Sequence, residues 1–228
     1  FITPSEFLKK KLSLNGFEEK RIHCIPTFTA SKTTIGKQQI GSYGLYFGRV
    51  TEEKGVETVI KAYEKLPEYT VKIMGDDTTD EAKRLKKYVE NHKMKNVEFL
   101  GFKSGAELEN VIKGARFTLI PSIWYDNLPN TALESFQYSK PVIASNIGSL
   151  PELVIDGENG YLFKPSNVED LIKKIKMLDD DTLVKKMGQA SRKRLESRFA
   201  PQTHYEDLMK IFNEACLLYT SDAADDKA

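Results

Sequence analysis

Charge imbalance, paired cysteines and long apolar runs are all missing from these 228 residues, and each absence removes a class of function. Lys and Arg number 34 against 33 Asp and Glu, a formal net charge of +1 that gives no support to a nucleic-acid-binding surface. Cys24 and Cys216 stand far apart in no metal or redox spacing, so a reducing cytosol is the default compartment. No apolar run is long enough for a membrane span, and no signal-peptide pattern opens the chain. Neither a three-glycine dinucleotide fingerprint nor a P-loop is present, which disfavours NAD and ATP chemistry. With 40% hydrophobic and 29% charged residues, what remains is an ordinary globular composition. The first residue is Phe1, and a piece of a longer chain is expected.

From residue 43 short branched or aromatic runs alternate with helical periodicity. Strands are expected at 44–47, 70–74, 97–100, 117–120, 141–144 and 160–163, with helices at 56–66, 80–93, 106–113, 130–138 and 150–155. That alternation implies a parallel sheet covered on both faces, with every strand-to-helix loop on one edge. Helices at 167–178, 181–199 and 201–215 follow. Residues 43–199 thus form the main domain and 200–215 a carboxyl-terminal helix. Residues 216–228 show neither periodicity nor core and read as a non-native tail. Asp179, Asp180 and Asp181 could suggest a metal cluster, but acids at a helix start serve as caps; Asp76, Asp77 and Asp80 are read the same way. Lys185, Lys186, Arg192, Lys193, Arg194 and Arg198 form either a solvated helix face or a patch for peripheral contact with anionic lipid.

The start of the chain reads differently. Thr3-Pro4-Ser5-Glu6 opens a helix, with Thr3 as cap, Pro4 in the first position and Glu6 closing a capping box. Asn15-Gly16 ends it, and a strand is expected at 21–28. One helix and one strand cannot bury a core, so residues 1–28 are assigned to a preceding domain and should expose Phe7, Leu8, Leu12 and Ile25. Residues 29–42 are polar and read as a linker.

Two stretches carry chemistry. Phe47-Gly48-Arg49-Val50-Thr51-Glu52-Glu53-Lys54-Gly55 follows the first strand of the main domain. Gly48 permits a tight turn, and Arg49 and Lys54 place two cations at the mouth of the crevice beside a helix start, which suits a diphosphate. Pro121-Ser122-Ile123-Trp124-Tyr125-Asp126-Asn127-Leu128-Pro129-Asn130-Thr131-Ala132-Leu133-Glu134 follows the fourth strand. Asn127 is the expected helix cap, Pro129 sits in the first turn, and Asp126 and Glu134 can both face the crevice at the strands' carboxyl ends. Taken singly, either stretch also fits an ordinary strand–loop–helix unit with surface charges.

Together the two stretches resemble the carboxyl-terminal half of a family 4 retaining glycosyltransferase (glycosyl transferases group 1). The resemblance implies a Rossmann-like parallel sheet with helices on both faces, half of a two-domain glycogen-phosphorylase-like fold. It implies that Arg49 and Lys54 hold the diphosphate of a nucleotide sugar and that Glu134 holds the ribose. Asp126 stands where the family has a glutamate that contacts donor sugar hydroxyls, and is one methylene shorter. Gly48 and Gly75 lie beside the nucleotide, Phe102 near the base. The stretch Asn127, Leu128, Pro129, Asn130 and Thr131 offers N–H groups to the distal phosphate and sugar. The segment at 141–151 resembles the family's Pro-Val-Ile-Ala-Ser…Gly…Leu-Pro.

The implied activity moves a hexose-type sugar from a nucleotide-diphosphate sugar to a glycan or lipid-linked acceptor, with no metal and no cofactor. The expected place is the cytoplasm, with peripheral contact at the inner face of a membrane. The acceptor wall would come from a missing amino-terminal domain, along with a histidine near the reacting sugar. None of His23, His92 and His204 lies near either motif. Two rivals stand beside this reading: a nucleotide-sugar epimerase, and a non-catalytic donor-binding remnant or partner subunit.

Overall fold

The computed structural model describes residues 1–29 and 39–225, with side chains through residue 216. Residues 30–38, most of the expected linker, lie outside the described residues. Two short strands, β1 (Ile2–Thr3) and β2 (His23–Cys24), flank helix α1 (Glu6–Leu14). The main domain then alternates β3 (Tyr43–Phe47), α2 (Val56–Glu64), β4 (Thr70–Met74), α3 (Asp80–Asn91), β5 (Val97–Gly101), α4 (Gly105–Gly114), β6 (Ala115–Ile120), α5 (Asn130–Gln137), β7 (Val142–Ser145), α6 (Leu150–Leu153) and β8 (Gly160–Phe163). Helices α7 (Val168–Lys176), α8 (Asp181–Arg198) and α9 (Pro201–Asp225) follow.

The six strands β3 to β8 form one parallel sheet in the order β5-β4-β3-β6-β7-β8. Period-two alternation along the strands divides the core between the two faces. Tyr46, Val71, Ile73, Phe117, Leu119, Ile143 and Phe163 pack with α2, α3 and α7. On the other face Leu45, Phe47 and Met74 meet Ile112 of α4, while Ile120, Val142 and Ala144 meet α5 and α6. Strands buried on both sides read as near-continuous apolar runs, which is why the sequence placed them closely. The expected Rossmann-like sheet with helices on both faces is therefore the observed one.

Several local expectations change. Thr3 lies in β1; Ser5 caps α1, its hydroxyl accepting the Leu8 N–H at 3.1 Å. The strand expected at 21–28 shrinks to β2, although Ile22 and Ile25 are buried. Helix α3 is capped by the Thr79 hydroxyl, not by Asp76, Asp77 or Asp80, whereas Asp180 does cap α8. Helix α9 runs past the expected end at residue 215 into the stretch read as a non-native tail, reaching Asp225.

Residues 1–28 are docked rather than orphaned. Glu152 of α6 accepts the Glu6 and Phe7 N–H groups at 2.8 and 2.7 Å, supplying α1 with a cap from another element. The Phe7 ring lies 5.0 Å from that of Tyr125, and His204 of α9 is 2.8 Å from the Pro26 carbonyl. Ile25 is accordingly buried and Phe7, Leu8 and Leu12 are half-buried, against the expected exposure.

Lys140 was also not anticipated. It is 1% exposed, and its ammonium donates to the carbonyls of Gln39, Lys113 and Ala115 at 2.6–2.7 Å. Burial pushes its pKa down to about 8, against three carbonyl acceptors that favour the charged form.

Candidate functional site

Strand order reverses between β3 and β6: the chain runs outward from β3 through β4 and β5, then returns to continue through β6. A crevice opens where the loops after such a pair diverge. Both motif loops leave from this point, and two contacts tie them together. The Glu53 carbonyl accepts the Ile123 N–H at 3.0 Å and the Ser122 hydroxyl at 3.2 Å.

Three glycines allow the close approach. Gly48 has φ +146, and its N–H donates to Met74 at the end of β4. A Cβ on Gly75 would lie 1.9 Å from the Gly48 carbonyl oxygen. Gly55 has φ +65, and a Cβ there would stand 2.1 Å from the Pro121 carbonyl oxygen. Gly55 and Gly75 are therefore required by the close approach of neighbouring backbone, and Gly48 by its backbone conformation.

The crevice has two lobes. The first, about 250 Å³, is lined by Gly48, Arg49, Lys54, Asp126, Asn127, Pro129, Asn130 and Thr131. The second, about 320 Å³, is lined by Gly48, Arg49, Gly75, Phe102, Thr131 and Glu134. Arg49 and Thr131 thus sit between the lobes, while Asp126 and Glu134 are divided between them. Leu128 lines neither lobe. Its side chain is buried among core residues, and its N–H donates to the Ser149 hydroxyl at 2.7 Å. None of His23, His92 and His204 lines either lobe.

The two cations differ in setting. Arg49 is 74% exposed and approaches Glu53 at 3.9 Å. Lys54 is recessed, only 20% exposed, and its ammonium donates to Oδ1 of Asp126, itself 13% exposed. The expectation of two cations at the mouth of the crevice therefore holds for Arg49 alone. Oδ2 of Asp126 is buried with no hydrogen-bond partner among the described residues. The Tyr46 hydroxyl donates to the Arg49 carbonyl, and burial, then the carboxylates of Asp126 and Glu53, push its pKa up.

Helix α5 delivers the rest. Asn127 is not its cap: Asn127 Oδ1 accepts the Ser5 hydroxyl at 2.8 Å, and Pro129 stands at the cap position without a side-chain hydrogen bond. The leading N–H groups of Asn130 and Thr131 have no intrahelical partner, and both residues line the first lobe. The helix is pinned to β6 by a relay in which Thr118 donates to the Ser135 hydroxyl at 2.8 Å and Ser135 donates to the Thr131 carbonyl at 2.6 Å.

Sequence reasoning missed Ser149. Fully buried, it donates its hydroxyl to the Asp126 carbonyl at 2.7 Å while accepting from Leu128, and so fixes the Asp126 loop. It lies inside the segment 141–151 singled out for its resemblance, but that gave it no role, and a Gly-Ser pair before a helix reads as punctuation.

Glu134 is half-buried, and burial raises its pKa above 4.5. Its charged form is disfavoured in the folded state, so the stability present below pH 4.5 is lost as pH rises through the folded pKa. Glu134→Gln should therefore melt higher than the parent at pH 8 and nearly with it at pH 4. Melting curves across that range check this; equal differences at both pH values would contradict it.

A crevice lined by Arg49, Lys54 and the start of α5, set at the switch point of a parallel sheet with helices on both faces, places the chain among doubly wound α/β domains. The chain belongs to a named family of that class: the family model for glycosyl transferases group 1 matches residues 31–194. An uncharacterised glycosyltransferase of Methanocaldococcus jannaschii is 30% identical over 174 residues, 76% of this chain and 48% of that protein. A glycogen synthase of Mycobacterium tuberculosis is 31% identical over 186 residues, 77% of this chain and 42% of that one. The chain thus spans about half or less of these relatives' length. Among solved structures, a glycosyltransferase from Rickettsia africae superposes with a TM-score of 0.84 at 21% identity, covering 93% of this chain and 62% of that one. An Anabaena protein solved with UDP and glucose gives 0.82 at 20% identity, with the same coverages. These last two likenesses speak to the fold.

Proposed function

We propose that this chain is the donor-binding half of a retaining hexosyltransferase, with a nucleotide-diphosphate sugar as donor and a glycan or lipid-linked saccharide as acceptor. The observation that supports it most is the convergence of Arg49, Lys54 and the uncapped start of α5 on one lobe at the switch point. Breaking the bond from the anomeric carbon to phosphate builds negative charge on the departing diphosphate while the sugar becomes oxocarbenium-like. Fixed cations and N–H groups aimed at that charge lower the barrier, and they act without a metal. In this reading Arg49 and Lys54 take the diphosphate, Asn130 and Thr131 donate to the distal phosphate, and Asp126 accepts from sugar hydroxyls. Glu134 accepts from the ribose in the second lobe, with Gly75 under the nucleotide and Phe102 beside the base. The acceptor wall lies on a further domain, and the enzyme works in the cytoplasm, touching the inner face of a membrane.

Calorimetric titration of the chain with UDP and GDP, beside a transfer assay on the same sample, tests this. Weak binding of one nucleotide without transfer is expected, because an open donor lobe lacks the second wall that positions an acceptor and excludes water. Robust multiple-turnover transfer by this chain alone would show the acceptor site misplaced. Absence of any nucleotide binding would remove the donor reading.

A further inference from the structure

Of the two cations lining the first lobe, Lys54 is recessed and Arg49 is not. A diphosphate seated at the start of α5 would reach Lys54 only where Asp126 now holds it. The carboxylate is enclosed, its loop is pinned by Ser149, and its Oδ2 faces no donor among the described residues. An enclosed pair of this kind interacts strongly because little water screens it. The lobe therefore contains its own anion, already bound to the cation a ligand needs.

We propose that Asp126 competes with the ligand's phosphates for Lys54, and so weakens the hold of the site on a nucleoside diphosphate. This rests on the donor-binding reading given above. The competition falls unequally on substrate and product. A nucleotide sugar brings hydroxyls that can donate to the carboxylate when Lys54 turns away. A nucleoside diphosphate brings no such donors and one more negative charge, so Asp126 is left unpaired beside it. Asp126 thus discriminates against the product and empties the site after transfer. The role belongs to the exchange of partners by Lys54, which separates it from simple repulsion between Asp126 and phosphate.

The test is a double-mutant cycle read by calorimetry, with UDP, GDP, ADP and inorganic pyrophosphate as probes. Asp126→Asn should bind its preferred diphosphate about tenfold more tightly than the parent, the scale of one close charge contact. Lys54→Met should bind it about tenfold or more weakly. The gain from Asp126→Asn should vanish in the Lys54→Met background, since no cation is left to compete for. An equal gain in both backgrounds would mean plain repulsion and overturn the proposal. No gain in either would overturn it while leaving the donor reading intact. If no variant binds any probe, both fall together. Circular-dichroism melts confirm folding, and Asp126→Ser serves as a second neutral variant if Asp126→Asn does not fold.

Discussion

Lys54→Ala is expected to lower sugar transfer about a hundredfold or more in a protein that carries both domains, the scale of losing one preorganised stabiliser of developing charge. It should also destabilise the fold, because Asp126 is left enclosed and unpaired. Both partners are at least four-fifths buried, so the loss should be about 2–3 kcal/mol. For a chain of this length that moves the melting temperature down by about 5 °C or more. Arg49→Ala supplies the contrast. Its side chain is 74% exposed, so transfer should fall by a similar factor while the melting curve stays in place. Single-turnover rates and thermal melts on both variants separate the two effects. A Lys54→Ala protein that melts with the parent would show that the pair contributes nothing to folding. Unchanged rates in both variants would return the two residues to the surface.

Gly75→Ala should be nearly as damaging without removing any charge. The new methyl group would stand 1.9 Å from the Gly48 carbonyl oxygen and 3.3 Å from a Val50 methyl, so the loop carrying Arg49 must move. Overpacking against backbone costs about 1–3 kcal/mol, and a shift on the order of 1 Å in positioned groups costs about a hundredfold in rate. Nucleotide affinity should fall with the rate, since both depend on the same loop. Gly157→Ala is the matching control. Gly157 has a positive φ, at +82, which Gly75 does not, but a Cβ there meets nothing within 4 Å. That variant should carry only backbone strain, about 1 kcal/mol, and bind nucleotide as the parent does. Equal affinities for the parent and Gly75→Ala would mean that the Gly48 turn does not shape the site.

The sequence by itself determined the layered fold. Strands such as Val71-Lys72-Ile73-Met74 and Phe117-Thr118-Leu119-Ile120 are short apolar runs between helical periods, and a sheet buried on both faces requires that pattern. It also marked Gly48, Arg49, Gly75, Asn130, Thr131 and Glu134 as belonging near one edge, because each follows a strand end of one parallel sheet. What it could not determine were pairings between residues distant in the chain. Lys54 and Asp126 lie 72 residues apart, and their ion pair exists only because β3 and β6 are neighbours at the point of reversal. Ser149 holding the Asp126 loop, Glu152 capping α1 and Lys140 gathering three carbonyls are contacts of the same kind. Local propensity governs which residues make a strand or a helix. Only tertiary packing decides which charge is left facing solvent and which is enclosed with a partner, because burial belongs to the assembled layers.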